Sequence, residues 1–549
     1  MSFIQLVTRD MHTSLRKVVF MSALGGMSNA AILAAINTGA ANADQGHKAD
    51  VWAMAVFVIA LFLFIKTQVY VTTTITAEIE AIIHRIRTRL LDSVRRSELL
   101  SVERVGRARI VAAITSDAAV LTQASNMLSF SIQAPVLISF VAIYVAYLSF
   151  AAFALSVVIV TLTGTIFHFR SRKLAAERAT AAAQERRLFD RVSDFLDGFK
   201  EVRLNADRSN DLYNDAYDIS RTAANIKIHA QAETFKQIVS AQSYMYILLG
   251  AVVFIAPQFS DTLGGGGASI TKVTTALLYV VGACFGLVQS IPVLLNANAA
   301  ASRMETLDAA LQGMVSTDKE AAPITVPKRF DKIEVRNMMF HYSDKHSAVG
   351  FQIGPIDFEL RAGELVFLTG GNGSGKSTFL RVLSGLYAPD SGDIILDGMR
   401  VNDSNRDAYR GLISGIFFDY HLFKRLYGIP HADPDDVHRL LAQFRLEDKT
   451  GIANGEFRTL DLSGGQRRRV ALIVSLLEKR PILLLDEWTA EQDPEFRRKF
   501  YDELLPDLMK AGTTVVVITH DDRYLDELHL PARRIRMDEG RIVDQRTVG

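Results

Sequence analysis

Six long apolar runs constrain the fold of this chain more than any other feature. They are Val18–Thr38, Val51–Thr74, Leu128–Leu148, Phe150–Phe169, Ile238–Pro257 and Ile270–Leu295. A hydrocarbon layer about 30 Å thick takes about 20 mostly apolar residues to cross as a helix. The pattern therefore predicts six membrane-spanning helices. A cleaved signal peptide is the alternative for the first run, and its length disfavours that interpretation.

The average composition conceals two different parts. Of 549 residues, 49% are hydrophobic and 22% are charged, but the apolar runs end near residue 300, and an ordinary α/β pattern follows. This excludes a disordered or collagen-like chain. With 61 basic and 60 acidic residues, the net charge of +1 gives no reason to expect nucleic acid as a partner. The single cysteine, Cys284, excludes an intrachain disulfide.

Basic residues in the loops predict the orientation. The connections after the second and fourth runs are rich in arginine and lysine, from Arg85 to Arg109 and from Arg170 to Lys236. The loops on the other side carry only Lys48 and Lys272, and the glycine run 264–267 is expected to form an external turn there. Because cytoplasmic loops collect basic residues, both termini and both long connections are predicted to be cytoplasmic.

The two cytoplasmic connections are also predicted to be helical. In Ile79–Ser97 and Lys173–Leu196, apolar residues recur every three or four positions, as in helices that continue out of the bilayer. Interruptions at Ser101–Gly106 and Leu204–Asn210 would turn each connection into a hairpin. Either hairpin alone would also fit a solvated, charged face with nothing docked on it.

The composition predicts a membrane domain over residues 1–315, a linker over 316–328 that contains Pro323 and Pro327, and a soluble domain over 329–549. Strand-like runs in the soluble part are Lys332–Met338, Glu364–Thr369, Gly392–Leu396, Ile482–Leu485 and Thr513–Ile518. Three of these are short and largely apolar, which favours a mostly parallel sheet covered by helices. The predicted fold class is a six-span helical membrane domain followed by an α/β phosphate-loop domain.

A glycine-rich motif carries the strongest chemical signal. Gly370-Gly-Asn-Gly-Ser-Gly-Lys-Ser377 follows the second strand-like run and precedes a predicted helix, Ser377–Leu386. In such a phosphate loop the backbone N–H groups surround phosphate, Lys376 reaches the β- and γ-oxygens, and Ser377 can bind Mg²⁺. A glycine-rich turn without a ligand is the alternative, and the full motif in this context disfavours it.

Two acids complete the predicted hydrolysis site. The strand Ile482–Leu485 is followed by Asp486, suited to the Mg²⁺ shell, and by Glu487, placed to polarise the attacking water. Alone, such a strand would be a common core feature. Together with the phosphate loop it becomes a specific signal for a site that hydrolyses a phosphate bond.

Between these motifs stands Leu462-Ser-Gly-Gly-Gln466, and here the sequence resembles the ATP-binding cassette (ABC) family. Taken alone, Tyr342 and His520 would fit a packed aromatic and a surface histidine; in the family's order they match an adenine-stacking residue and a γ-phosphate-sensing switch. The resemblance implies ATP and Mg²⁺, with nucleotide contacts from Tyr342, Gly370, Asn372, Gly373, Gly375, Lys376, Ser377, Thr378, Ser463, Gly464, Gly465, Gln466 and Asp493, metal contacts from Ser377 and Asp486, and catalysis by Glu487 and His520.

The sequence departs from the family pattern in places. Phe418, with Asp419 beside it, stands where the family usually has a glutamine that touches Mg²⁺, and Trp488 also departs from the family's usual alanine. Three runs, Phe418–Phe423, Asp486–Pro494 and Thr519–Asp522, resemble the bacterial cyclic-peptide and siderophore exporter subfamily, which includes pyoverdine-precursor and syringomycin exporters.

Six spans before one cassette resemble an exporter half-transporter. With one phosphate loop and one signature per chain, the resemblance implies a homodimer that encloses two ATP molecules. The hairpin tips then become candidates for docking on the cassettes. The implied activity is export of a peptide-like or siderophore-type metabolite across the bacterial inner membrane. A lipid flippase and a non-transporting ATP-dependent regulator are alternatives, whereas the six spans exclude a soluble repair-type ATPase.

Candidate cargo contacts lie in the membrane half. Lys66 stands in the second apolar run, where it would contact an acidic substrate or extend to the interface. A polar cavity or interhelical hydrogen bonds would account for Gln133, Tyr144, Gln242, Tyr244, Tyr246 and Gln289.

Overall fold

The computed structural model describes residues 3–11, 15–44, 51–255, 268–312, 327, 329–342, 351–429, 432–527 and 530–548. The chain divides into two compact units. The helical unit comprises Met1–Ser93 and Arg107–Ala310, and the α/β unit comprises Val94–Gly106 and Leu311–Gly549. Nearly all of the predicted linker, 316–328, lies outside the described residues, as does the glycine run 264–267.

Helices contain nearly all of the described residues up to residue 312. They are α1 (Phe3–Asp10), α2 (Leu15–Asp44), α3 (Val51–Arg96), α4 (Leu99–Val105), α5 (Arg107–Ala112), α6 (Ala118–Leu148), α7 (Phe150–Asp197), α8 (Phe199–Leu204), α9 (Ala206–Phe254) and α10 (Ala268–Gln312). A π-helical turn, Ala113–Asp117, joins α5 to α6.

Among the described residues, five helices are long and apolar enough to cross a membrane, and they cover all or most of the first, second, third, fifth and sixth predicted spans. The fourth predicted span begins α7, where the described apolar stretch, Phe150–Ile166, is shorter than the other five. Large apolar side chains such as Trp52 and Phe62 are exposed on α3, as expected of surfaces that face lipid. The chain is therefore a multi-pass membrane protein.

Small and branched side chains form the core of the helical unit. Buried residues from five helices pack in one cluster that includes Leu33, Val141, Ala152, Leu248 and Leu277. Close approach depends on glycine: a Cβ atom added at Gly286 in α10 would lie 2.4 Å from the ring of Phe130 in α6. Small residues at such contacts let membrane helices pack tightly.

The two connections predicted to form hairpins are helical, but their breaks differ from the prediction. Ser101–Val105 is not a break; it lies within α4, which is bounded by Glu98 and by Gly106 at φ 85°. In the second hairpin α8 lies between Gly198 and Asn205, and the Asn205 side chain accepts a hydrogen bond from the N–H of Arg208 at 3.0 Å. That cap starts α9 almost at once, so the interruption is one residue long.

The α/β unit contains two main sheets. Its elements are β1 (Lys332–Tyr342), β2 (Phe351–Arg361), β3 (Leu365–Thr369), α11 (Lys376–Leu383), β4 (Ser391–Leu396), β5 (Met399–Arg400), α12 (Arg406–Arg410), β6 (Ile413–Ile416), α13 (Pro434–Gln443), β7 (Ile452–Ala453), β8 (Glu456–Phe457), α14 (Gly464–Leu477), β9 (Ile482–Asp486), α15 (Pro494–Lys499), α16 (Leu505–Lys510), β10 (Thr514–Ile518), α17 (Asp522–Asp526), β11 (Ala532–Asp538) and β12 (Arg541–Val548).

The larger sheet has the order β12-β11-β3-β10-β9-β6, and every neighbouring pair except β11 with β12 is parallel. Its central strands are buried on both faces, because alternate residues such as Phe367 and Leu368 join different core clusters. This confirms the predicted covered parallel sheet. β3 and β9 both pair with β10, so the loops that follow them meet at one edge.

The second sheet was not predicted. It is antiparallel, in the order β2-β1-β4-β5, and it contains the strand-like runs that begin at Lys332 and Gly392. A Cβ atom at Gly392, where φ is 80°, would lie 2.3 Å from the carbonyl oxygen of Asn337. Glycine therefore allows β4 to pack this closely against β1.

Candidate nucleotide-binding and hydrolysis site

The phosphate loop joins β3 to α11 and depends on two glycines in particular. Gly370 has φ 143°, and a Cβ atom there would lie 2.1 Å from the carbonyl oxygen of Met537. Gly375 has φ 96°, and its Cβ would lie 2.7 Å from the side chain of Ile353. Any other residue would change the loop at both positions, since L-residues rarely adopt these angles. The loop keeps its N–H groups at the start of α11, as anion binding requires.

Lys376 is held inside this loop. Its side chain is buried, and its Nζ atom donates hydrogen bonds to the carbonyl oxygens of Gly370 at 3.0 Å and Gly371 at 2.8 Å. Burial lowers the pKa of Lys376, and the nearby carboxylates of Glu487 and Asp486 act in the opposite direction. The loop therefore presents a cation beside the position of the acids.

Ser377 and Asp486 meet as predicted for a metal site. The Ser377 hydroxyl donates to Oδ1 of Asp486 at 3.1 Å. Asp486 is 1% exposed, and its Oδ2 atom has no hydrogen-bond partner among the described residues. Burial raises the pKa of Asp486, while the hydrogen bond from Ser377 lowers it. A buried carboxylate oxygen without a partner beside a hydroxyl fits Mg²⁺, which binds through one or two carboxylates and phosphate oxygens.

Glu487 and His520 are also brought together. Oε1 of Glu487 lies 3.3 Å from Nε2 of His520, and both side chains remain partly exposed. Glu487 has φ 50°, an uncommon conformation for a residue with a side chain, and its N–H donates to the carbonyl of Ile518 at 3.0 Å. The turn after β9 thus places the carboxylate next to the imidazole.

Arg468, which the sequence analysis did not single out, supports this turn. It is 2% exposed, and its guanidinium donates to the backbone carbonyl of Glu487 and to the carboxylate of Glu491. The unusual Trp488 is fully buried, and its indole N–H donates to the carbonyl of Arg468 at 2.8 Å. Trp488 therefore has a structural role that its place beside the acids did not reveal.

Asp521, next to His520, was likewise missed. Its carboxylate accepts hydrogen bonds from the Thr489 hydroxyl at 2.8 Å, from the Arg497 guanidinium at 3.2 Å and from the Tyr501 hydroxyl at 3.3 Å. These bonds tie the turn after β10 to the turn after β9. The sequence signal for it was an acid directly after the histidine.

The signature pentapeptide begins α14 with its own cap. The Ser463 side chain accepts from the N–H of Gln466 at 3.4 Å, and Oε1 of Gln466 accepts from the N–H of Ser463 at 3.1 Å. This capping box leaves Ser463 and Gly464 exposed at the helix N-terminus. Cβ atoms at Gly464 and Gly465 would lie 2.8 Å and 2.7 Å from oxygen atoms of Glu491, so the glycines permit close packing.

The remaining predicted nucleotide contacts are more dispersed. Asp493 caps α15 by accepting from the N–H of Phe496 at 2.9 Å, a bond that lowers the pKa of Asp493. Its carboxylate also pairs with Arg469 at 2.5 Å. Tyr342 ends β1 half-buried, with its ring centroid 6.5 Å from that of Tyr387. Exposed loop-tip positions are Asn372 and Gly373, and Thr378 is half-buried in α11.

Lys66 and the predicted polar residues of the membrane half do not form one group. The Lys66 side chain is exposed, with its Nζ 5.6 Å from the ring centroid of Phe62. Gln242 donates to the hydroxyl of Tyr246 at 3.1 Å within α9. This bond lies within one helix, whereas the predicted roles were contacts to a cavity or hydrogen bonds between helices.

Segment 94–106, which contains α4, belongs to the α/β unit. Leu99 and Leu100 pack against one of its core clusters. The Glu98 carboxylate accepts from the guanidinium of Arg410 and lies 3.6 Å from that of Arg406. Charge pairs and apolar contacts therefore hold the tip of the first hairpin on the α/β fold.

A series of side-chain contacts connects this segment to Asp419, which lies beside Phe418 at the position where the family usually has a glutamine. The Tyr387 hydroxyl donates to the Glu103 carboxylate at 2.8 Å and accepts from Arg381 at 3.2 Å. Arg381 in turn lies 3.5 Å from Oδ1 of Asp419. Phe418 itself is exposed, with the guanidinium of Arg468 5.5 Å from its ring centroid. Asp419 therefore contacts a cation of the chain.

Four features together define one half of an ABC transporter: the long apolar helices, the phosphate loop, the contact between Glu487 and His520, and the capped signature helix. The chain belongs to this family. A family profile described as ABC transporter matches residues 353–490. The ATP-binding protein SyrD of Pseudomonas syringae pv. syringae is 34% identical over 474 residues, which cover 84% of this chain and 82% of SyrD.

Two further comparisons agree with this assignment. The ATP-dependent lipid A-core flippase of Photobacterium profundum is 28% identical over 329 residues, 57% of this chain and 55% of the flippase. The solved structure of a bacterial Atm1-family ABC exporter with ATP bound has the same fold, with a TM-score of 0.75 at 18% identity over 97% of this chain and 95% of that one. The chain is an exporter half-transporter whose cassette binds ATP and couples its hydrolysis to translocation.

Proposed function

We propose that two copies of this chain form a homodimer that exports a peptide-like or siderophore-type metabolite across a bacterial inner membrane. The cassettes and both termini face the cytoplasm. The observation that carries the proposal is the hydrolysis geometry at the end of β9, where Glu487 lies 3.3 Å from His520 and follows the buried Asp486. The likeness to SyrD over most of both chains supports a transporter. The class of cargo is supported by the runs Phe418–Phe423, Asp486–Pro494 and Thr519–Asp522, which resemble the cyclic-peptide and siderophore exporter subfamily.

The phosphates of ATP bind across the loop and Lys376. The loop carbonyls that hold the Lys376 ammonium yield it to the β- and γ-oxygens, which carry more negative charge. Ser377 and Asp486 would hold Mg²⁺, and a bound Mg²⁺ would supply positive charge to the phosphate oxygens. The exposed N-terminus of α14, with Ser463, Gly464, Gly465 and Gln466, contacts the nucleotide held by the second copy.

Glu487 orients the attacking water and receives its proton. A carboxylate in this role must keep a free lone pair towards the substrate, and the partial exposure of Glu487 leaves room for one. His520 contacts the other side of the carboxylate and holds its orientation, and it senses the γ-phosphate. Arg468 holds the backbone of this turn in place by donating a hydrogen bond to the carbonyl oxygen of Glu487.

Closure of the cassettes reaches the membrane helices through segment 94–106. The path from Glu103 through Tyr387 and Arg381 to Asp419 takes the role that the glutamine has in other family members. Each step is a hydrogen bond or an ion pair. Glu103 and Asp419 at the two ends are exposed, whereas Tyr387 between them is buried, so a shift at one end can change the position of the next group.

Replacement of Glu487 by glutamine tests the hydrolysis assignment. Glu487→Gln keeps the size of the side chain and removes the base, so ATP turnover by the reconstituted protein should fall about 100-fold or more while ATP binding is retained. Glu495→Gln is the matched control, because Glu495 is an exposed carboxylate that pairs with Arg445. Normal turnover by Glu487→Gln would refute the assignment.

Export is tested by comparing metabolites in cells and medium with and without the gene. Accumulation of a peptide-like compound inside cells that lack the protein is expected, and ATP-driven uptake of that compound by inside-out vesicles should disappear in Glu487→Gln. The likeness to the flippase makes lipid the second candidate cargo. Translocation of labelled lipid, with no metabolite retained in the cells, would favour the flippase over the exporter.

A further inference from the structure

A cavity of about 360 Å³ lies among four membrane helices of the helical unit. Its walls come from α2, α3, α6 and α10, within the apolar parts of these helices. Ligand pockets commonly have volumes of about 300–1,000 Å³, so this one can hold a small ligand or one portion of a larger molecule. None of the residues that line it, all in the described part of the chain, is charged.

The polar side chains on the wall are neutral. They are Ser22, Asn29, Thr67, Gln68, Gln133 and Tyr279. Four apolar side chains, Phe64, Phe130, Leu137 and Leu278, form much of the remainder. The exposed Lys66 next to Thr67 is not part of the lining. Because water no longer solvates a charge that is buried in such surroundings, the cavity selects against ionised ligands.

Ser22 is the clearest sign that something binds here. The residue is 3% exposed, and its hydroxyl oxygen has no hydrogen-bond partner among the described residues. Buried hydroxyl groups nearly always have a partner, because the loss of hydration is otherwise uncompensated. A serine without one at the wall of a cavity points to a partner that enters the cavity.

Neighbouring amides extend the hydrogen-bonding capacity. The Tyr279 hydroxyl donates to Oδ1 of Asn29 at 2.6 Å, which leaves the Asn29 NH₂ group as a donor. Gln133 donates from Nε2 to the Ser129 hydroxyl at 3.0 Å, which leaves its Oε1 as an acceptor. The lining therefore offers both a hydrogen-bond donor, from Asn29, and an acceptor, from Gln133. These match an amide group, which has one N–H donor and one C=O acceptor.

Gly282 leaves the space open. A Cβ atom added at this position would meet nothing within 4 Å, whereas the nearby Gly286 has no such room beside Phe130. Gly25 and Gly26 allow α2 to approach its neighbours, since Cβ atoms there would lie 2.9 Å from Thr67 and 3.0 Å from Val136. The glycines thus both build the cavity and keep it empty of side chains.

We propose that this cavity within a single protomer binds a neutral, amide-bearing apolar portion of the cargo, such as an uncharged peptide unit with an aliphatic or aromatic side chain. The inference rests on the proposed export function and specifies its substrate class. It assigns selection to the wall formed by Ser22, Asn29 and Gln133, and it gives Lys66 no part in this site.

The test measures equilibrium binding of tritiated cyclo(Leu-Phe) to the full chain in lipid nanodiscs without nucleotide. This probe is neutral and has two amides and two apolar side chains, and the linear dipeptide Leu-Phe is its zwitterionic counterpart. Saturable binding is expected, and the linear dipeptide should not compete. Absence of saturable binding, or equal competition by the linear dipeptide, overturns the proposal.

Three variants locate the bound probe. Gly282→Leu places a side chain in the cavity and should weaken binding about tenfold or more, because that side chain occupies the space that the ligand would need. Ser22→Ala removes one hydrogen bond and should weaken it about 3- to 10-fold. Gly164→Leu in α7 is the matched control, because a Cβ atom there also meets nothing within 4 Å, and it should bind as the native chain does.

Basal ATP hydrolysis should be unchanged in all three variants. Native-like binding by both Gly282→Leu and Ser22→Ala would overturn the proposal. Metabolite export by the native chain is measured separately: export without probe binding refutes this site alone, whereas probe binding without export refutes the proposed function alone.

Discussion

Gly370→Ala is the sharpest perturbation of the phosphate loop. The native φ of 143° lies where residues with a side chain are rarely found, and the added Cβ would lie 2.1 Å from the Met537 carbonyl oxygen. Holding an L-residue in such a region costs about 1–3 kcal/mol. The contact itself cannot persist, because Cβ atoms do not approach backbone oxygen so closely, and either the loop or β11 must move.

Taking about 2 kcal/mol as the cost, ATP affinity should fall about 30-fold, since each 1.4 kcal/mol is a factor of ten. The assay is equilibrium binding of a fluorescent ATP analogue to the purified full chain. Gly371→Ala is the control in the same loop, because a Cβ atom there meets nothing within 4 Å. It should bind within about twofold of the native chain.

Equal affinities for Gly370→Ala and Gly371→Ala would refute the reasoning, since the two substitutions add the same atom to the same loop. Thermal unfolding of both variants separates local from global effects. A shift confined to nucleotide affinity places the strain in the loop, whereas a large fall in melting temperature places it in the packing against Met537.

Three other predictions concern packing, coupling and charge. Asp486→Asn should raise the melting temperature of the nucleotide-free protein at neutral pH, because burial raises the pKa of Asp486 in the folded state and its ionisation therefore destabilises that state. This destabilisation is absent below the ordinary carboxyl pKa of about 4 and complete once the pH exceeds the pKa of Asp486 in the folded state. A melting temperature difference that does not grow from pH 4 to pH 7 would contradict this. Tyr387→Phe keeps the ring stacked on Phe340 but removes the hydroxyl that bonds to Glu103 in α4 and to Arg381. ATP turnover stimulated by cargo should therefore fall severalfold, with little change in turnover without cargo. Unchanged stimulation would count against the coupling path. Gly286→Ala should destabilise the helical unit by about 1–3 kcal/mol in a thermal assay because of the contact with the Phe130 ring, whereas Gly250→Ala, with open space around it, should be neutral or slightly stabilising.

Much of the fold was predictable because the signals are local. Apolar runs of membrane length identified five of the long helices directly, and the phosphate loop, the acids after β9 and the signature each combine residue type with a local backbone requirement. The pairing of Ser377 with Asp486, 109 positions apart, followed from the motifs and the order of the strands rather than from any local pattern.

Contacts between distant residues outside motifs were not predictable. Nothing in the run around Lys332 shows that β1 pairs with β2 and β4 instead of joining the parallel sheet. Most of the break expected at Ser101–Gly106, residues 101–105, proved to be helical, and the neighbouring Leu99 and Leu100 pack on a surface formed elsewhere in the chain. Ser22 gave no sequence signal at all, since a hydroxyl without a partner is recognised only in three dimensions.

The placement of segment 94–106 in the α/β unit has a consequence for synthesis. Glu98 and its partner Arg410 are 312 positions apart. At about 5–20 residues per second, the ribosome needs roughly 15–60 s to make the second after the first. During that interval the tip of the first hairpin, with Leu99 and Leu100, has already been synthesised and its binding surface does not yet exist. The newly made membrane half must therefore keep the apolar tip of this hairpin uncovered until the α/β unit has been made. Any other protein surface that bound the tip first would delay assembly.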